Sequence, residues 1–463
     1  MDRHRAKIAL ALAAATAVAL STLAAAGAES EKRKLPDYRG RDPDPTTPGD
    51  VALWVPRIVV APVYLVFDYG LRRPIGAGIS AAERSNLPET LYNFFFFGPD
   101  HKAGFAPIAF FDLGSRASVG LYTFWDDAFF TGHDLSLRGS FGGTDWLAGA
   151  FQDRVNLRNG DFVRLRLIGV RRPDHAFFGI GPDSLQSNRS RYGEDRLEST
   201  LTASFPFGRS SIVETTLGVR SIDTHDGHFG GDPGLAARAA AGAFPAPFGF
   251  DSGYTALTAR IFGALDTREP LPAPGSGFRL ELEGEHAADV RRPSGGDEWV
   301  RYGAKAGAFL DLNGRNRVLS LTVAGLFADP LEHHPIPFTE LVSVPARDPW
   351  MNDDGMASGT GPMQGFFPGR LLDRSAAVAT LRYTWPIWVW LDGSIQAATG
   401  NVFGEHLDNF ELSRLRLSGA VGVQSFSTRA DAFQLLFGVG TETFERGTKV
   451  DSVRLTVGVN NGI

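Results

Sequence analysis

The chain has 463 residues, a formal net charge of −6 and no cysteine. Without cysteine there is no disulfide scaffold, thiolate metal site, cysteine nucleophile or lipoprotein anchor, and the dispersed, modest charge offers no basic arm or patch to nucleic acid. The length fits two or three ordinary domains or one large barrel.

The first predicted element is a secretory leader. Arg3, Arg5 and Lys7 precede "IALALAAATAVALSTLAAA", and Ala26-Gly27-Ala28 supplies a small-x-small cleavage site. A charged start, an apolar run and small residues mark residues 1–28 as a signal peptide, so the protein is expected to be exported. Residues 29–104 follow. They are proline-rich at 36–48 and then apolar in "LWVPRIVVAPVYLVFDYG", Leu53 to Gly70. Pro56, Arg57 and Pro62 interrupt that run, which is shorter than the ~20 apolar residues of a spanning helix. The segment is expected to be a periplasmic or plug piece, partly helical.

From residue 105 onward the chain alternates. In "FRLELEGEH" (Phe278 to His286), Phe278, Leu280 and Leu282 take one side, and Arg279, Glu281, Glu283 and Glu285 take the other. Successive strand side chains face opposite sides, so one face is apolar and one charged. "FVRLRLI" (Phe162 to Ile168), "RLRLSGAVGV" (Arg414 to Val423) and "SVRLTVGV" (Ser452 to Val459) repeat the scheme. Alternation alone fits a soluble sandwich or a membrane barrel; export, length and strand number favour the barrel, with apolar side chains to lipid and charges to the lumen.

Alternation and turn signals place sixteen strands near 105–111, 117–126, 133–145, 147–155, 162–172, 196–207, 211–223, 253–268, 277–289, 299–312, 317–329, 374–387, 391–403, 414–427, 431–444 and 452–463. Connections after even strands are mostly short, as in "LRNG" and "NGRN". The longest, 173–195, 224–252 and 330–373, follow odd strands. Short turns at one end and long loops at the other suit an outer-membrane barrel. Tyr122, Trp125, Trp299, Tyr302, Tyr383, Trp385, Trp388 and Trp390 fall mostly near strand ends, where interface girdles belong, although ordinary interior aromatics read the same way.

"DTHDGHFGGD" groups Asp223, His225, Asp226, His228 and Asp232 at a spacing that can hold a divalent ion. The same residues are commonplace in a solvated outer loop, and neither a metal nor a cofactor is assigned. His333 and His334 flank prolines and are read the same way. No G-x-S-x-G, H-E-x-x-H or P-loop motif occurs. Arg164, Arg279, Glu281, Glu283, Arg414 and Arg416 are read as a salt-bridged lumen wall.

Several stretches together resemble the BamA/TamA family of outer-membrane assembly factors, the bacterial surface-antigen barrels. They are "FFGIGPDS" (177–184), "LDTREPLPAPGSGFRLEL" (265–282), "IPFTEL" (336–341), "MQGFFPGRLLDR" (363–374), "LRYTWPI", "TGNVFGE" (399–405) and the final "VGVNNGI". The resemblance implies that the loop after the eleventh strand folds into the lumen and sets Gln364, Gly365, Phe366, Arg370, Asp373 and Arg374 against the wall. Two departures stand out. Gln364 replaces the usual arginine of the tip, and Ala398 stands where an aspartate is usual. Arg370, Asp373 and Arg374 are candidates for a substitute lock. The chain end, Ile463, is not aromatic, and no periplasmic POTRA module is recognisable in residues 29–104.

The expectation is an all-β, sixteen-stranded antiparallel transmembrane barrel with a short N-terminal helical segment, in the outer membrane of a Gram-negative-type bacterium. The resemblance implies a non-enzymatic protein that helps proteins or lipids insert into or cross that membrane. Its partners would be outer-membrane lipid and client proteins or lipids. A small-solute pore and an outer-membrane hydrolase are the alternatives.

Overall fold

The computed structural model describes residues 93–270, 274–291, 297–331, 334–345, 361–388, 391–425 and 433–459. The expected signal peptide, the apolar run at 53–70, Trp390 and the last four residues lie outside them.

Sixteen strands form the body of the molecule: β1 (Ala103–Asp112), β2 (Ser118–Trp125), β3 (His133–Gly143), β4 (Trp146–Asn156), β5 (Phe162–Phe177), β6 (Ser190–Phe207), β7 (Ser211–Asp226) and β8 (Tyr254–Asp266), then β9 (Gly277–Asp289), β10 (Glu298–Asp311), β11 (Val318–Pro330), β12 (Ser375–Trp388), β13 (Leu391–Phe403), β14 (Arg416–Ser425), β15 (Phe433–Thr443) and β16 (Val450–Val459). Each pairs antiparallel with its chain neighbours, and β16 returns to β1, so the sheet closes. The sixteen expected strands are all present.

The sides of the strands settle what surrounds the barrel. On β9, Phe278, Leu280 and Leu282 are exposed, whereas Arg279, Glu281 and Glu285 are buried. Leu137, Leu165, Leu201, Leu217, Ile261, Leu321 and Leu381 are exposed in the same way on other strands. So large an apolar band is untenable in water and fits lipid. Charged side chains line the lumen in pairs: Arg279 with Asp266 (3.0 Å), Lys305 with Glu281 (3.2 Å), Arg260 with Glu283 (2.8 Å) and Arg301 with Glu285 (2.6 Å).

Three strands run longer than the alternation suggests. β5, β6 and β7 have 16, 18 and 16 residues, against the roughly 9–11 that cross a bilayer. Beyond Arg171 the outward side chains turn polar, as in the exposed Arg171–Asp195 pair (2.7 Å). The apolar pattern stops at the edge of the lipid while the hydrogen-bond ladder continues.

Two expected girdle aromatics face inward instead. Trp299 is buried edge-on against Tyr254, with centroids 5.4 Å apart. Tyr122 lies beneath Arg138, 5.6 Å from its guanidinium carbon. Both pack against lumen groups that the linear pattern does not reveal. Trp125 and Tyr302 are exposed, as girdle residues are. Arg414, expected in a strand, lies in a short turn before β14, near Asp183.

Leu282→Arg, at mid-height on β9, is expected to destabilise the barrel by about 2–4 kcal/mol. Glu283→Gln, facing the lumen, should cost about 1 kcal/mol or less. Urea unfolding in lipid vesicles measures both, and a costlier Glu283→Gln would reverse the assignment of faces.

Candidate functional site

Among the described residues the closure between β1 and β16 is the shortest junction of the barrel. Among the described residues it consists of Phe110–Gly458, Phe111–Val457 and Asp112–Thr456, followed by a hydrogen bond from Leu113 N to Leu455 O (2.8 Å). The next shortest junction, between β2 and β3, has seven such pairs.

An ion pair backs the seam on its lumen side. Arg454 of β16 donates from Nε (3.1 Å) and Nη2 (3.0 Å) to Asp112 Oδ2 at the end of β1. Thr456 Oγ1 adds a third donor at 3.3 Å. Both partners are buried. Charge-assisted, two-pronged bonds of this kind are the stronger ones, and they fix geometry as well as energy.

The loop between β11 and β12 reaches the same place. It enters through Ile336–Val344, where Val342–Val344 pairs with Leu371–Asp373 in a short hairpin. Its tip lies on the lumen face of β14, β15 and β16. Gly365 N donates to Ser418 Oγ (2.8 Å), and Ser452 Oγ donates to Gly365 O (2.8 Å). A Cβ on Gly365 would lie 2.0 Å from Val439 O, and one on Gly440 would lie 2.6 Å from the Phe366 ring. A Cβ on Gly438 would likewise lie 2.7 Å from Gln364 O, so three glycines permit this approach. Arg454 Nη1 donates to Gln364 Oε1 (3.2 Å), so one arginine holds the seam and the loop tip together. Phe367 closes on Gly114 in the turn after β1. The tip therefore touches both sides of the seam.

Phe366 and Met363 are fully buried in an apolar cluster with Val378, Ala398 and Val402. Ala398 thus belongs to a greasy patch. A lone arginine or aspartate there would be a buried charge without its partner, which is strongly destabilising. The polar contacts of the tip at the seam run through Gln364, Arg454 and Asp112.

The remaining loop residues divide. Arg370 is buried and donates to Ser184 Oγ (2.8 Å), Ser184 O (3.0 Å), Gln186 Oε1 (3.1 Å) and Asp451 (3.3 Å). It stacks over Phe178 at 4.9 Å. Burial pushes its guanidinium pKa down to about 10, so it stays charged at neutral pH. Arg416 meets the same inner loop through Pro182 O (3.2 Å) and Ser184 O (3.0 Å). The "FFGIGPDS" stretch is therefore a docking surface for two arginines. Asp373 caps the backbone N–H of Arg374 (2.8 Å). Arg374 turns to the rim and pairs with Asp329 (2.7 Å) and Glu405 (3.0 Å).

Sequence reasoning missed the second anchor of the loop. The buried Glu340 carboxylate takes Arg220 (2.9 Å), Arg301 (3.2 Å) and the Tyr254 hydroxyl. An acid inside the apolar "IPFTEL" was the available signal, but its partners sit on β7, β8 and β10. Phe338, two residues before Glu340, belongs to a buried apolar cluster with Phe177, Tyr192, Leu235 and Leu372.

The Asp/His loop does not converge on one point. Asp223 pairs with Arg291 (2.5 Å), Asp226 accepts from Ala236 N (3.0 Å), and Asp232 pairs with Arg189 (3.0 Å) and Arg191 (2.8 Å). His228 meets Asp145 (3.1 Å). His334 lies 3.8 Å from Asp297, and His333 is outside the described residues. Among the described residues, Asp329, Glu405 and His406 lie close enough to share an ion, but the Arg374 guanidinium already supplies positive charge to both carboxylates.

A closed antiparallel barrel with a lipid-facing apolar band and a charged lumen is an outer-membrane transmembrane β-barrel. Its sixteen strands and inward loop have the fold of the BamA barrel. The structure is similar to "BamA from Haemophilus ducreyi lacking POTRA domains 1-3", with a TM-score of 0.52 and 13% identity over 77% of this chain and 70% of that one. CdiB from Acinetobacter baumannii aligns with a TM-score of 0.44 and 12% identity, over 77% of this chain and 60% of that one. CdiB from Escherichia coli aligns with a TM-score of 0.43 and 12% identity, over 76% and 62%. No protein-family model and no curated protein matches the sequence.

The buried tip yields a labelling order. A single cysteine replacing Met363 should react slowly with a bulky, membrane-impermeant maleimide on intact cells, and one replacing the exposed His225 should react fast. Phe366→Ala should cost about 3–5 kcal/mol and speed labelling at 363. Equal rates at the two positions would put the tip outside the lumen.

Proposed function

We propose that this protein is a seam-gated barrel that helps proteins or lipids enter or cross the outer membrane, without covalent chemistry. The observation that carries this reading is the short β1–β16 seam with the loop tip lying across it. Contact with membrane lipid follows from the barrel itself; the clients belong to the proposal.

Among the described residues, opening the seam breaks three residue pairs of backbone and one buried ion pair. Separating Arg454 from Asp112 with nothing in exchange would cost about 3–5 kcal/mol. Gln364 lowers that cost, because its amide oxygen stays with Arg454 as the strands part. The freed edges of β1 and β16 then present unpaired N–H and C=O groups to the membrane. An extended chain can satisfy them by adding as a strand, or a lipid can pass between lumen and bilayer.

The test is a seam lock. Phe111 and Val457 are paired residues, and the double variant Phe111→Cys, Val457→Cys can be oxidised to join β1 and β16. Vesicles containing the unaltered protein should accelerate the folding of an added, urea-unfolded outer-membrane barrel several-fold. The oxidised double variant should lose the acceleration, and reduction should restore it. No effect on folding, together with a steady open current in planar bilayers, would replace this reading with that of a pore.

A further inference from the structure

The seam edge of β1 has a second occupant. Phe96 and Phe97 pair antiparallel with Gly104 and Ala103. β2 holds the other edge of those residues, with Trp125 opposite Ala103 and Phe124 opposite Gly104. The two phenylalanines therefore lie on the edge that β16 uses, and they run in the same direction as β16. The last strand covers Phe110–Asp112, and the upstream segment covers Ala103–Gly104.

Side chains on both faces hold the segment. Phe96 is 3% exposed, and its ring centroid lies 5.7 Å from that of Phe124. Gly104 makes the approach possible, since a Cβ there would lie 2.6 Å from Phe95 O and 2.8 Å from the Phe124 ring. On the opposite face Phe94, Phe95 and Phe97 gather around Phe105, at 5.5, 5.4 and 6.5 Å. Four consecutive aromatics thus grip the first strand through a ladder of only two residue pairs.

We propose that Phe94–Phe97 is a displaceable self-strand, an autoinhibitory cap on the β1 edge that an incoming strand must remove. This rests on the seam reading above and adds its regulation. Gly98 to Lys102 joins the cap to β1, and so short a connection holds it at an effective concentration on the order of millimolar. A free strand at micromolar concentration cannot compete with that. A longer strand, which also takes Phe110–Asp112 once the seam has opened, gains ladder bonds that the cap does not make and can replace it.

The full chain in lipid vesicles tests this with a fluorescent synthetic peptide that carries residues 89–97 of this sequence and a solubilising lysine tail. Anisotropy reads binding. Phe96→Ser removes the anchor of the cap, and this variant should bind the peptide roughly tenfold or more tightly than the unaltered protein. Cysteines replacing Phe97 and Ala103 fix the cap when oxidised. That form should not bind, and reduction should return it to the unaltered level. A peptide with serine in place of Phe96 should bind none of the three. Equal binding by Phe96→Ser and the unaltered protein, or binding by the oxidised pair, overturns the cap. If the peptide results fail while the disulfide lock between positions 111 and 457 still stops assisted folding, only the cap falls. If the peptide results hold while the lock has no effect, the cap stands and the seam-gating reading falls.

Discussion

In a bilayer no water is available to an unpaired backbone N–H or C=O, so a sheet that crosses one must close. Every other feature of this molecule follows from how that closure is made. Fifteen of the sixteen junctions join strands adjacent in the chain, and the sixteenth joins its two ends. Among the described residues that junction is the shortest, and it is reinforced from the lumen by side chains. Side-chain bonds can be exchanged for others in a polar lumen, whereas ladder bonds facing lipid have no alternative partner. A seam held in this way is strong at rest and replaceable piece by piece.

The strands were legible in the sequence because a two-sided environment forces a two-residue period. Phe278 to Glu285 reads as lipid, lumen, lipid, lumen, and the burial follows it. The strands were misjudged where that environment ends. β5 to β7 continue past the apolar band into water, where both faces are polar and the period carries no signal. The inward positions of Trp299 and Tyr122 were illegible for a related reason. An aromatic near a strand end suits either face, and its neighbours decide.

The loop was half legible. Two adjacent phenylalanines, Phe366 and Phe367, marked it as buried, and the lumen cluster around Phe366 accounts for them. Its polar contacts could not be read, because they depend on which wall the tip meets. Gln364 has meaning only beside Arg454, ninety residues away in the chain, and Glu340 only beside Arg220 and Arg301. The absent arginine and aspartate of the resembling family did carry information. Losing both charges left an apolar contact through Ala398, and the charge pair of this chain sits at the seam.

The overlong strands leave the molecule lopsided. β6 alone, at 18 residues, is about 60 Å long at ~3.4 Å per residue; at a tilt of ~45° it rises about 40 Å, against an apolar band ~25 Å tall. One flank, β5 to β7, therefore stands as a palisade some 15 Å above the lipid, by the same estimate. The flank of β1 and β2, with 10 and 8 residues, has no such extension. The cell's surroundings would meet the barrel first at this palisade. An antibody or a phage that gripped it would also press on the seam side of the rim, because Asp174 of β5 and Arg191 of β6 bond to Arg116 N and Gly114 O in the turn after β1.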